Sequence, residues 1–284
     1  MAASRRYTFL TGWRLALAFV SIYGAVILAG VILLAPSALW PKAAWARNLE
    51  KAVELSRLYM LAGLVCLFWL HRRLMGMESG ASLRYTGLAV WSDRQVLIAV
   101  AALVPVLAAG LVAVYSTGGR ICVEPGIKRR VVTYIVDAAF MEELVFRGFL
   151  FRNLRRTMPF IRAALISAIA FGIFHLLNGL EITSVSMAPG EILKKVGYPF
   201  LFGTVVALLY EKGEHSLWGP MLLHFGVDAI NLFWVKPDLA RPGMELVARY
   251  GKVTGQTLAL VVAVLLCIWL LPVLKKRGRA GAGP

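Results

Sequence analysis

The sequence is poor in charged residues, which occupy only 16% of its 284 positions, against roughly a quarter in an average soluble domain. Hydrophobic residues make up 59%, and the mean hydropathy is +0.72. This balance argues against an ordinary water-soluble domain and against a disordered chain. Long apolar runs recur along the whole chain. The composition therefore predicts a polytopic membrane protein.

Acidic residues are scarce as well, with 15 Asp and Glu against 31 Lys and Arg, for a net charge of +16. In a soluble chain this excess would suggest nucleic acid. Here the basic residues are spread over nearly every loop and form no single stripe. We interpret them as contacts to the lipid bilayer and as topology signals, and expect no nucleic-acid partner. The basic residues near both ends favour cytoplasmic termini.

Cysteine is rare, and its three positions exclude a disulfide framework. Cys66 and Cys267 lie inside apolar runs, and Cys122 is expected in a connecting loop. None has a histidine close by in sequence, so a thiol nucleophile is not expected. We expect no cleavable signal peptide, because the first apolar run, Trp13 to Ala35, is longer than a signal-peptide core and is typical of a membrane span.

Apolar stretches of helical length predict eight membrane-spanning helices. They lie at about 13–35, 55–70, 96–115, 131–151, 161–177, 198–210, 217–234 and 257–274. The predicted fold class is all-α: a helical bundle formed by a single membrane domain, 1–284, with a basic, disordered tail at 275–284. The expected location is an integral, multi-pass position in a membrane, which would be the plasma (inner) membrane in a bacterium.

The fourth stretch, 131–151, carries charge at mid-depth in the form of Glu142, Glu143 and Arg147. An ionised side chain there costs about 2.5–3.5 kcal/mol even on the lenient insertion scale. Glu143 and Arg147 are spaced i,i+4 and can neutralise one another on one helix face. Glu142 is rotated by about 100° from Glu143 in an α-helix. Glu142 is therefore left without a partner, and a partly desolvated carboxylate suits general-base catalysis. The alternative is an ion-pair cluster that only fixes helix packing.

Two later stretches add imidazoles and their potential partners. The fifth carries His175, with Asn178 three residues on, where it could support the site by orienting the imidazole. The seventh carries His224, with Asp228 at i+4 and Asn231 one turn further on the same face. An acid one turn from an imidazole can fix its tautomer. Each histidine alone could be a packing residue, but three apolar helices with such groups indicate a site.

Two chemistries fit this inventory. A glutamate could deprotonate a water molecule while imidazoles and amides stabilise the oxyanion formed on a peptide carbonyl. Two histidines and a carboxylate could instead hold a catalytic zinc ion, although the compact motif HExxH is absent. A proton-coupled transporter that uses the same groups as a relay is a third possibility, but no internal repeat supports it.

These residues form three motifs in an order that resembles the CAAX-protease and bacteriocin-processing (CPBP, or Abi) family of intramembrane glutamic proteases. EExxxR begins at Glu142, FxxxH ends at His175, and HxxxD begins at His224. The resemblance covers about 131–234, which we take as the catalytic core. It implies a membrane-embedded endopeptidase, similar to prenyl-protein CAAX endoproteases, that acts on a membrane-associated protein or peptide without a metal cofactor.

The resemblance also implies roles. Glu142 would activate the water, His175 would help to hold it, and His224 with Asp228 would stabilise the oxyanion. Glu143 and Arg147 would be supporting residues.

Position 228 departs from the family pattern, because prenyl-protein endoproteases carry Asn there and this chain has Asp228. An ionised aspartate cannot donate a hydrogen bond to an oxyanion. Either Asp228 is protonated, or it orients His224 while Asn231 or a backbone amide donates.

For the protein as a whole, an immunity or scaffold protein that retains the fold without catalysis is a further alternative.

Overall fold

The computed structural model describes residues 8–49, 59–117, 120–123, 131, 134–178, 189–229, 233–236 and 257–269. The described chain is helical apart from one short ribbon. The α-helices are α1 (Gly12–Leu39), α2 (Tyr59–Met75), α3 (Ser79–Thr86), α4 (Asp93–Thr117), α5 (Arg152–Thr157), α6 (Phe160–Asn178), α7 (Pro189–Lys212), α8 (Trp218–Ala229) and α9 (Thr257–Trp269), with a further helical turn at 44–49. The helical fold class expected from the sequence is confirmed, and each of the eight apolar stretches contains a helix.

The fourth stretch differs from expectation in its helix type. It forms two π-helical segments, Tyr134–Glu142 and Leu144–Phe151, which together we call the wide helix. At its end the backbone N–H of Arg152 bonds to the carbonyl of Arg147, five residues back. π-helical turns are rare and occur often at functional sites. The offset of about 100° per residue assumed for an α-helix therefore does not apply here.

The wide helix lies at the centre of the bundle. Every side chain from Leu144 to Phe151 is buried. Helix α8 packs against α4 and against the first segment of the wide helix, while α6 packs against its second segment and against α7. On the other side α1 pairs with α2 and also contacts the wide helix. The acidic stretch is thus enclosed by helices rather than exposed at the surface.

The described helices that could cross a membrane are fewer than the eight predicted. Within the described ranges, α1 alone is a single helix long and apolar enough to cross a membrane. The pair α2 and α3, bent by 106°, would add a second if it forms one broken span. Eight spans are therefore not confirmed. The outer faces of several helices are nevertheless apolar, as exposed Leu17, Val31, Leu107 and Ile169 illustrate.

A short antiparallel ribbon corrects two details of the prediction. Strand β1 (Arg120–Val123) pairs with β2 (Phe233–Lys236), with Arg120 opposite Lys236. Cys122 therefore lies in a strand rather than a loop. The span expected at 217–234 ends as a helix at Ala229, and its last two residues belong to β2. Phe, Trp and Val in succession favour a strand, which explains the change.

The start of α8 is fixed by a buried glutamine on α4. Gln95, only 1% exposed, donates to the carbonyls of Leu209 and Ser216 and accepts a bond from the backbone N–H of Gly219. Its side chain thereby satisfies backbone groups in the turn between α7 and α8. This contact sets the position of α8, which carries the second histidine of the candidate site.

Candidate active site

The wide helix carries a buried ion pair. The Nη1 of Arg147 lies 3.1 Å from Oε1 of Glu143, and both side chains are almost wholly buried, at 1% and 0% exposure. The guanidinium also lies over the ring of Phe171, 4.4 Å from its centroid. Gly203 on α7 leaves the necessary space, since a Cβ there would meet the Nη2 of Arg147 at 3.2 Å. The pair expected from the i,i+4 spacing is thus formed.

Glu142 is the acid that faces both imidazoles. Its Oε2 lies 3.7 Å from Nε2 of His175 and 4.0 Å from Nε2 of His224. The Glu142 side chain is 13% exposed and makes no direct hydrogen bond through Oε2 among the described residues. These separations exceed hydrogen-bond length and leave room for a small molecule to bridge the groups.

The orientation of His175 follows from its backbone contact. Its Nδ1 lies 3.0 Å from the carbonyl oxygen of Phe171, one turn earlier on α6. A carbonyl can only accept, so Nδ1 carries the proton in this bond. In the neutral ring, Nε2 is then an acceptor, and it is this atom that faces Glu142. The aromatic ring of Phe171 supports the imidazole at 4.4 Å between centroids.

His224 is bonded to the other glutamate. Its Nδ1 lies 2.6 Å from Oε1 of Glu143, the same oxygen that contacts Arg147. The nearest oxygen of Asp228 is 3.6 Å away and on the Nε2 side of the ring. The acid positioned to fix the His224 tautomer is therefore Glu143, and the assignment of that role to Asp228 from the i,i+4 spacing is not supported by the distances. Asp228 keeps 27% exposure.

Two residues expected to support the site lie partly or wholly outside the described residues. The backbone of Asn178 forms the end of α6, but its side chain is outside what the structure describes. Asn231 lies outside the described residues altogether, as do the tail at 275–284 and parts of several predicted spans. Their expected roles stay predictions.

Sequence reasoning missed a tyrosine contributed by α1. Tyr23 packs on Phe174 at 4.6 Å and on Phe146 at 5.9 Å between ring centroids, next to the residues of two motifs. Its hydroxyl is buried and makes no hydrogen bond with any residue that the structure describes. Nothing in the apolar pattern of α1 distinguishes this tyrosine from a packing residue.

The site as described is a cluster of acids and imidazoles inside a helical bundle. Among the described residues, no group of three or more His, Cys, Asp or Glu side chains is arranged to hold a metal ion. The geometry brings Glu142, His175, His224 and Asp228 together from three helices. Such a group can bind a polar molecule and move a proton.

Comparison with known protein families gives a match over the part of the chain that carries the three motifs. Residues 127–230 match the model of the family described as Rce1-like, type II CAAX prenyl endopeptidase. No curated protein matches the chain. The resemblance to CAAX proteases noted in the three motifs is therefore confirmed over this segment, which is similar to the Rce1-like family.

Proposed function

From this similarity to the Rce1-like family we propose that the protein is an intramembrane endopeptidase that hydrolyses a peptide bond with a water molecule activated by Glu142. The observation that carries the proposal is the position of one carboxylate oxygen, which faces Nε2 of His175 at 3.7 Å and Nε2 of His224 at 4.0 Å. The family description, a CAAX prenyl endopeptidase, supports peptide hydrolysis as the reaction class.

The first step uses Glu142 and His175. A water molecule between them would donate one hydrogen to the carboxylate and the other to Nε2 of His175, which the bond to Phe171 leaves as an acceptor. As the water oxygen attacks the carbonyl carbon, Glu142 takes the proton. It returns this proton to the amine when the peptide bond breaks.

The second requirement is a donor for the oxyanion, and His224 fits it. Its Nδ1–H is directed at Glu143, so a proton on Nε2 would face the side of Glu142. Carboxylates on both sides of the ring, at 2.6 Å and 3.6 Å, compensate the charge of a doubly protonated imidazole. In this arrangement the carboxylate of Asp228 stabilises the imidazolium through its charge, and the Nε2–H of the imidazole is the donor to the oxyanion.

The proposed substrate is a membrane-associated protein, with a prenylated CAAX tail as the first candidate from the family description. The proposed setting is a multi-pass position in a bilayer, the inner membrane if the host is bacterial. Helix α1 and the exposed apolar side chains of the other described helices support it. Exposed tryptophans, among them Trp13, Trp91 and Trp269, are of the type enriched at membrane–water interfaces.

The decisive experiment measures cleavage and metal content together. Purified wild type and Glu142→Gln are incubated in bilayer nanodiscs with a farnesylated CAAX peptide, with and without chelator. We expect the substitution to lower the cleavage rate by about 10²–10⁴-fold, the usual contribution of a general base, with an unchanged melting temperature. Glu78→Gln is the matched control, because it makes the same chemical change at an exposed position away from the site.

Two outcomes would contradict the proposal. Full activity of Glu142→Gln would exclude this residue as the base. Stoichiometric zinc with cleavage that stops on chelation and returns with metal would instead make His175 and His224 metal ligands. Hydrolysis without a cofactor is a prediction that this experiment tests.

A further inference from the structure

A second group of charged residues lies outside the candidate active site, at the end of the bundle where α1 begins and the wide helix ends. It surrounds two cavities of about 250 and 320 Å³. Arg152 and Arg156 line both, so the cavities adjoin each other. Each is several times the roughly 30 Å³ that one water molecule occupies. We call the residues around the two cavities the arginine site.

The charge of the arginine site is strongly positive. Four arginines line it: Arg84, Arg152, Arg155 and Arg156. Among the described residues, the only carboxylate that lines either cavity is Glu211, which is already bound by Arg155 at 2.9 Å and lies 3.3 Å from His215. Burial raises the pKa of Glu211, but its hydrogen bonds with His215 and Arg155 outweigh this and hold the pKa below its usual value.

Two of the other three arginines are positioned by aromatic rings. The guanidinium of Arg156 lies 4.4 Å from the ring centroid of Phe9, and that of Arg152 lies 5.5 Å from the ring of Tyr85. These contacts hold the two cations in place but neutralise neither charge. The Nε of Arg152 is buried and has no hydrogen-bond partner among the described residues. An N–H donor in such a position costs free energy until an acceptor reaches it.

We propose that the arginine site binds a phosphate group. Arginine is the side chain best suited to bind phosphate, because its planar guanidinium can form two parallel hydrogen bonds to the oxygens. Basic pockets between membrane helices bind the headgroups of anionic lipids, and this one is lined by Phe9, which lies four residues before the exposed Trp13 of α1. The phosphate could belong to a phospholipid headgroup or be a free anion, and the test separates the two.

The first arm measures lipid retention. Wild type, Arg152→Gln, Arg156→Gln and the double variant are purified from bilayers of phosphatidylglycerol and phosphatidylcholine, and the bound lipid is counted by native mass spectrometry. Glutamine keeps most of the side-chain length and removes the charge. A headgroup site predicts preferential retention of phosphatidylglycerol, reduced by about fivefold for each arginine removed. Arg162→Gln, an exposed arginine that lines neither cavity, should retain as much as wild type.

The second arm adds inorganic phosphate alone to protein in neutral detergent and measures the melting temperature, with chloride at equal ionic strength as control. A free-anion site predicts a rise in wild type that the double variant loses. The proposal is overturned if wild type neither prefers the anionic lipid nor responds to phosphate. It is also overturned if Arg162→Gln loses as much as the double variant, since the effect would then be one of general surface charge. If the double variant fails to fold, the two single variants still test the arginine site, and none of the measurements depends on peptide cleavage.

Discussion

Removing the charge of Glu143 tests whether the buried ion pair stabilises the bundle. Glu143→Gln keeps the shape of the side chain but leaves the guanidinium of Arg147 without a counter-charge. The structure provides no easy replacement, because Nε and Nη2 of Arg147 are buried and have no hydrogen-bond partner among the described residues. With 1% exposure, this guanidinium also cannot turn to solvent without moving the helix.

The expected loss of stability follows from the distance between the charges of Glu143 and Arg147. Two unit charges 3.1 Å apart attract by about 5 kcal/mol at an effective dielectric constant of ~20. Breaking a buried pair by removing one partner is destabilising by about 3–5 kcal/mol. At roughly 2–4 °C per kcal/mol for chains of comparable size, the melting temperature should fall by about 6–20 °C.

Thermal unfolding in detergent would measure the effect in wild type, Glu143→Gln, Arg147→Met and the double variant. We expect the double variant to be more stable than the sum of the two single losses predicts, because it removes both charges together. The matched control is Glu78→Gln, which should melt within about 2 °C of wild type. The reasoning is refuted if Glu143→Gln melts within that same range, or if the two single losses simply add.

Three further predictions concern single side chains. Asp228→Asn should keep cleavage activity within a few-fold, measured as peptide release, because the proposed oxyanion donor is His224; a loss of 100-fold or more would show that the charge at 228 is needed. Gly203→Ala should cost about 1–3 kcal/mol in thermal unfolding, since its Cβ would crowd a buried side chain, whereas Gly24→Ala, with nothing within 4 Å, should not. The pKa of Glu211 is lowered in the folded state, so the ionised side chain stabilises the fold. This contribution should be complete at a pH above 4.5, the usual pKa of the group, and should be lost as the pH falls below that value. Glu211→Gln should abolish this part of the pH dependence of the melting temperature.

Features that depend on neighbouring residues were predictable from the sequence. The contact of Glu143 with Arg147 needs only one helical turn, so the spacing sufficed. The apolar stretches likewise located the helices, because burial or lipid contact of a whole helix requires a long apolar run. The match of residues 127–230 to the Rce1-like family was predictable from three motifs whose order does not depend on the exact helix boundaries.

Features that depend on tertiary packing were not predictable from the sequence. Which of two adjacent glutamates meets His224 depends on how the wide helix is wound, and π-helical turns have no signature in the apolar pattern. The sequence therefore suggested Asp228, four residues away, as the orienting acid, whereas the structure places Glu143, 81 residues away, at the ring. The β1–β2 ribbon joins segments more than a hundred residues apart and could not be read from either one.

The contacts of α1 bear on how the protein could be truncated. Phe19 packs on Phe146 at 5.3 Å between centroids, and Tyr23 lies against Phe146 and Phe174, so residues far outside the matched segment form one wall around its motifs. On α2, Gly63 lies so close to the wide helix that a Cβ there would meet the methyl group of Met141 at 3.0 Å. A fragment limited to residues 127–230 would expose these apolar faces of its own core. An expression fragment that keeps these contacts around the motifs therefore has to begin before α1.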